Sequence, residues 1–153
     1  MWISDGVYLI DTNVLSAGAP TKARLAADLL DWMERNSERL YLSVITIAEV
    51  EDGIAKLRRE AAHRKAERIS EWLETLLHLY SARILSLDVP TARVQGRLSD
   101  QARGLGHAPG FADLAIAATA QLHGYTVLTR NLRHFRILEV KSADPFEALP
   151  EPA

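Results

Sequence analysis

The stretch Val7-Tyr8-Leu9-Ile10-Asp11-Thr12-Asn13 decides how this chain is read. Four apolar residues are too few for a helix and suit a short buried strand, while the polar trio that stops them reads as a turn or helix cap. Asp11 then stands at the carboxyl end of that strand. The arrangement recurs downstream, where Tyr41-Leu42-Ser43-Val44, Ile84-Leu85-Ser86-Leu87 and Tyr125-Thr126-Val127-Leu128-Thr129 are further strand candidates. A short apolar piece around 138–140 offers a fifth.

Between these runs the apolar positions change to helical spacing. Residues 21–36 carry Leu25, Leu29, Leu30, Trp32 and Met33 as an apolar stripe, with Lys22, Arg24, Asp28 and Glu34 on other faces. Thr46-Ile47-Ala48-Glu49 has the Thr-x-x-Glu spacing of a capping box, which opens a helix with Glu49 in its first turn. That helix runs through Val50, Ile54 and Leu57. After a break near 60–63, Ile69, Trp72, Leu73, Leu76, Leu77 and Tyr80 continue the period, giving two antiparallel helices. Pro90 suits a helix start that runs to Gly104, 104–110 is a loop, and 112–123 is a strongly apolar helix ended by Gly124, with Asp113 its one acid. Strands alternating with helices predict an α/β fold of three layers, a central, mostly parallel sheet of four to five strands covered on both faces. In such sheets ligands gather beyond the carboxyl ends of the strands.

Composition narrows the function classes. A length of 153 residues is one domain's worth, and 48% apolar with 25% charged residues fits a folded globular protein. Eighteen Lys and Arg against twenty Asp and Glu leave a charge of -2, so any grip on nucleic acid must come from a local patch. The absence of cysteine excludes thiolate zinc sites, cysteine nucleophiles and disulfide scaffolds, leaving oxygen or imidazole as metal ligands. Met1-Trp2-Ile3-Ser4-Asp5 does not open a leader and no run of about 18 apolar residues occurs, so a cytoplasmic protein without membrane contact is expected. The three prolines of 144–153 mark a loosely attached tail behind a domain spanning 1–143.

Asp11, Glu49 and Asp113 occupy comparable places, one directly after a strand and two in the first turns of helices, so all three can face the same end of the sheet. Each has a plain structural explanation as a cap or a helix-dipole partner. Their convergence is harder to explain that way, because two carboxylates about 5 Å apart at an effective dielectric of roughly 20 repel by about 3 kcal/mol. A divalent cation offsets that repulsion, and hard oxygen ligands select Mg²⁺ or Mn²⁺. Water on such a cation is a nucleophile, and a phosphate oxygen can take another coordination position. This is the chemistry of metal-dependent phosphodiester cleavage.

Four blocks in order, the stretch from Val7 to Ser16, Ser43-Val44-Ile45-Thr46-Ile47-Ala48-Glu49, Asp113-Leu114-Ala115-Ile116-Ala117-Ala118-Thr119-Ala120 and Thr126-Val127-Leu128-Thr129-Arg130-Asn131-Leu132-Arg133-His134-Phe135, resemble the PIN domain, and within it the VapC and FitB-like toxin ribonucleases. The resemblance implies a compact α/β/α nuclease fold, a Mg²⁺ or Mn²⁺ site, RNA as substrate, a homodimer, and neutralisation by a small cognate antitoxin. It also implies that Asp11 and Asp113 are metal ligands, that Glu49 is a ligand directly or through water and positions the attacking water, and that Asn131 is the polar catalytic residue after the fourth strand. The family often places an acid three residues beyond that Asn. Here His134 stands there, which removes the fourth acidic position.

Thr12 and Asn13 are candidates to orient Asp11, and Ser43 and Thr46 to orient Glu49, with helix capping as the alternative for each. His63, His78, His107, His123 and His134 form no i, i+4 metal pair. Lys56, Arg58, Arg59, Arg64, Lys65 and Arg68 read as a solvated helical face laced by pairs such as Glu60 with Arg64, whereas Arg130, Arg133 and Arg136 follow the catalytic edge. Trp32 and Trp72 fall on apolar stripes and belong to packing. A receiver or aspartyl-phosphate phosphatase is disfavoured because Ile10, Thr12 and Asn13 supply no second acid beside Asp11. A catalytically silent PIN-like module that binds RNA or protein remains the alternative to the enzyme.

Overall fold

The structure, a computed structural model, describes residues 6–20 and 27–150. The strands β1 (Tyr8–Ile10), β2 (Leu40–Ser43), β3 (Ile84–Leu85), β4 (Thr126–Leu128) and β5 (Ser142–Ala143) form one sheet in the order β3-β2-β1-β4-β5, and every pairing is parallel. The helices are α1 (Thr12–Leu15), α2 (Ala27–Arg35), α3 (Val44–Arg59), α4 (His63–Leu79), α5 (Val89–Gly104), α6 (Phe111–His123) and α7 (Leu132–Arg136).

β1 is apolar throughout because it is covered on both sides, as central strands of parallel sheets are. Tyr8 and Ile10 pack with Val14, Leu29, Trp32 and Leu76 from α1, α2 and α4, while Leu9 points the other way, to Ile116, Ala117, Leu98 and Phe135 from α6, α5 and α7. The alternation continues in β2 and β4, with Leu40, Leu42 and Leu128 on the first face and Tyr41 and Val127 on the second. These are the three expected layers. Each large side chain buried to completion, such as Leu9 or Ile116, contributes roughly 1.5–3 kcal/mol. α3 and α4 form an antiparallel hairpin with its own small core of Val50, Ile54, Ala66 and Leu73.

The hairpin breaks where expected, and the reason is a left-handed cap. Ala61 has φ 61°, with the Ala62 N–H donating to Leu57 O and the Ala61 N–H to Arg58 O. α6 closes the same way on Gly124 at φ 73°.

Several local expectations are corrected. β3 stops at Leu85, because its partner β2 turns into α3 after Ser43, which is paired with Leu85, so Ser86 and Leu87 have no neighbour. The fifth strand is Ser142–Ala143 rather than 138–140. Glu139 takes a left-handed φ of 55° that closes α7, burying Leu138 and Val140 beside Phe135 before the chain can extend. Ser43, not Thr46, caps α3, its Oγ accepting from the Ile45 N–H, and Glu49 therefore lies in the second turn. Residues 21–26 of the expected first long helix lie outside the described residues; α2 carries its apolar positions Leu29, Trp32 and Met33 into the core. The start of the proline-bearing tail is not loose, since Phe146 packs against the first core face. Glu60 and Arg64 fall on opposite sides of the hairpin break and form no ion pair among the described residues. Among those residues no helix is long and apolar enough to cross a membrane.

A methyl group added at Gly124 meets nothing within 4 Å, so the cost of Gly124→Ala is the left-handed backbone alone. The variant is expected to lose about 1 kcal/mol, read as a fall of roughly 2–4 °C in the melting midpoint. An unchanged midpoint would contradict the cap.

Candidate active site

β1 and β4 pair in register, Tyr8 with Thr126, Leu9 with Val127 and Ile10 with Leu128, so the residues one step beyond them, Asp11 and Thr129, emerge side by side at the carboxyl end of the sheet. The Asp11 N–H extends the ladder by donating to Leu128 O at 2.9 Å, and the Thr129 N–H extends it on the other side by donating to Ala143 O at 3.0 Å. Asp11 is only 5% exposed. Its Oδ1 accepts from the Thr12 N–H at 2.9 Å, which caps α1, and its Oδ2 accepts from the Thr129 hydroxyl at 2.8 Å.

Burial pushes the Asp11 carboxyl above the ordinary aspartate range, the Thr129 and Thr12 hydrogen bonds pull it back, and the negative fields of Asp113 and Glu49 raise it further. The structure therefore brings both other predicted acids into electrostatic range of Asp11. They arrive from different elements: Asp113 sits in the first turn of α6, half-buried, and Glu49 is on the exposed side of α3.

Each flanking acid has its own support. Glu49 Oε1 accepts from the Thr12 hydroxyl at 2.6 Å. The Thr12 and Thr46 hydroxyls lie 3.1 Å apart, and since the single Thr12 proton is used on Glu49, Thr46 supplies the proton between them. Thr46 is fully buried, so its role is this relay rather than a cap. Asp113 Oδ2 lies 2.7 Å from His134 Nδ1, which reaches it from α7.

Two assignments change character. Asn13 does not orient Asp11; its Oδ1 accepts from the Arg130 N–H at 3.1 Å and ties α1 to the turn after β4. Asn131 is exposed at the start of α7, and only its backbone N–H engages the site, donating to Thr129 Oγ1 at 2.9 Å. Thr129, fully buried between Asp11 and Asn131, is the residue that sequence reasoning did not single out. Its signal was positional: it follows β4 as Asp11 follows β1.

Among the described residues no three His, Cys, Asp or Glu side chains crowd closely enough to ligate one ion together. The donor set still suits a hard cation. It is made of carboxylate oxygens, and the hydrogen bonds to Asp11 use one acceptor position on each oxygen and leave others open. Mg²⁺ commonly takes one or two carboxylates and keeps several waters, so a three-carboxylate cage is not required. Beside Thr12 and Glu49 a cavity of about 260 Å³ opens between α3 and α4, walled by Val50, Leu57, Ile69 and Trp72, with Lys65 at its edge.

The sequence model of the PIN domain matches residues 8–140, which hold all of these side chains. The chain is 36% identical over 144 residues to the plasmid stability protein StbB of Pseudomonas syringae pv. tomato, covering 93% of this chain and 100% of the relative. It is 34% identical to the VapC ribonuclease Y4jK of Sinorhizobium fredii, covering 92% and 99%. The crystal structure of FitAcB from Neisseria gonorrhoeae superposes with a TM-score of 0.79 at 34% identity, over 92% of this chain and 99% of that one. With the parallel sheet and the acids at its carboxyl end, these matches establish that the chain belongs to the PIN domain family, among its VapC- and FitB-like members.

Proposed function

We propose that the protein is a metal-dependent endoribonuclease, the toxin of a toxin–antitoxin pair. The observation that carries this reading is Asp11, a carboxylate buried at the end of the central strand within the fields of Asp113 and Glu49. The ribonuclease and plasmid-stability names of its relatives support RNA as the substrate and a cognate antitoxin as the partner.

In this reading Asp11 and Asp113 would hold Mg²⁺ or Mn²⁺, with Glu49 a ligand directly or through water. When bound, the cation neutralises the pocket, polarises the phosphate and lowers the pKa of water. The remaining steps belong to the chain. The Thr129 hydroxyl and the Thr12 N–H favour the charged form of Asp11 and so offset part of the cost of its burial. Thr12 fixes Glu49 through Oε1, which leaves Oε2 to accept a proton from the attacking water. The water oxygen forms a bond to phosphorus as the opposite P–O bond breaks, and the departing oxygen takes up a proton. Asn131 stands beside Thr129 on the exposed rim, where its amide can meet the strand.

One observation favours the second reading, a PIN-fold module that binds without cutting: His134 gives Asp113 a partner that needs no cation. Mn²⁺ titration of the full chain, followed by electron paramagnetic resonance, separates the two. Saturable binding that disappears in Asp113→Ala is expected of the enzyme, and RNA binding indifferent to Mn²⁺ of the module.

Asp11→Asn is expected to reduce Mg²⁺-dependent RNA cleavage by more than ~100-fold, beyond what losing an outer partner of a metal ligand costs. Cleavage at the parental rate would refute the assignment. The same variant tests the electrostatics. Because folding raises the Asp11 pKa, its ionised form destabilises the fold above that raised value, and the penalty vanishes below the unfolded value of about 3.9. In chelator, Asp11→Asn should therefore melt above the parent at pH 7, with the difference shrinking as the pH falls to about 4. A difference independent of pH would rule out this account.

A further inference from the structure

We propose that Arg130 binds a phosphate of the RNA strand beside the cleaved linkage, and that Phe146, from the C-terminal turn, is the positioning residue that holds it there. This rests on the ribonuclease reading and extends it to substrate binding.

Arg130 follows Thr129, whose hydroxyl is on Asp11, and its own N–H is fixed by Asn13 Oδ1. The root of the side chain is thus pinned one residue from the acid pocket. Its guanidinium carbon lies 4.4 Å from the centre of the Phe146 ring. Among the described residues no carboxylate comes within 4.0 Å of it and its guanidinium N–H groups have no acceptor, although the pocket next door is acidic. Three arginines by contrast spend donors on the fold, Arg39 on Gly6 O, Arg68 on Pro20 O and Arg83 on Leu40 O. An aromatic ring steadies a guanidinium without neutralising it, so a full charge and a fork of donors stay available. That fork matches the two oxygens of a phosphodiester.

Phe146 is itself built into place. Thr129 N–H donates to Ala143 O, so the turn that follows begins alongside the site. Asp144 Oδ1 accepts from the Phe146 N–H at 2.9 Å, Asp144 O accepts from the Glu147 and Ala148 N–H groups, and the ring packs against the core. Arg133 and Arg136, the other cations along this edge, have no such support among the described residues.

The test is binding of a fluorescein-labelled single-stranded RNA to the full chain, with Asp11→Asn present to prevent cleavage, read by anisotropy over a salt series in Mg²⁺. Adding Arg130→Gln is expected to weaken binding about tenfold, the worth of a charged hydrogen bond, and to reduce the slope of log K against log salt by about 0.7, one phosphate's share on a single strand. Phe146→Leu, which keeps an apolar side chain in the core, should move both quantities the same way, and Phe146→Tyr should restore them. In the cleaving parent, Arg130→Gln should raise KM more than it lowers kcat. An unchanged affinity and slope for Arg130→Gln, in a parent that binds RNA, overturns the phosphate site alone. Loss in Arg130→Gln with none in Phe146→Leu overturns the positioning role. A folded parent that neither binds nor cleaves RNA overturns the ribonuclease reading and this site with it.

Discussion

The hydrogen bond from Thr129 to Asp11, 2.8 Å long and spanning 118 positions of chain, is the constraint on which the rest depends. A carboxylate this deeply buried is costly to ionise, and a neutral Asp11 would bind a cation poorly. Thr129 reduces that cost from one side and the Thr12 N–H from the other. Both donors exist because of the sheet: in-register pairing of β1 with β4 sets the two strand ends abreast, and the start of α1 aims a backbone donor at the carboxylate. The fold thus supplies Asp11 with the partners that make a charged group tolerable in its interior. The same turn reaches outward, since Asn131 and Arg130 hang from the backbone that Thr129 and Asn13 secure.

The large features were legible from the sequence for a simple physical reason. A central parallel strand is buried on both faces, so Tyr8-Leu9-Ile10 reads as an uninterrupted apolar run, and a polar residue immediately after it must lie at the end where crossovers begin. Asp11 was located that way and Asp113 as the one acid of an apolar helix; the structure puts Asp11 at the strand end and Asp113 in the first turn of α6. For Glu49 the resemblance to the PIN domain held, but the spacing argument for its place in the helix did not. The Thr-x-x-Glu spacing reads as a capping box, but Ser43 already fills the cap, which frees Thr46 to turn inward and relay to Thr12 and Glu49. Spacing along a helix could not separate these arrangements, because the deciding contact is with α1, 34 positions away. β5 was misplaced for a comparable reason. Leu138 and Val140 are apolar because they close α7 over a left-handed Glu139, and nothing in a short apolar run distinguishes such a closure from a strand.

His134 shows what a single substitution of type does to a shared pocket. An acid there would add a further negative charge to a site where Asp11 already feels two others, whereas an imidazole brings a hydrogen bond to Asp113 and no added repulsion. With the acids arriving from α3, α6 and the end of β1, the charge balance of the pocket is set by elements that share no local sequence.

The separation between Asp11 and Thr129 also places the pocket late in the life of the polypeptide. A chain emerging from the ribosome at ~5–20 residues per second needs on the order of 10 s to pass from one to the other. Until then β1 has only β2 beside it, and Asp11 lacks its hydroxyl donor. The surroundings of Asp11 are therefore completed only once β4 and the residue after it have been made, near the end of synthesis.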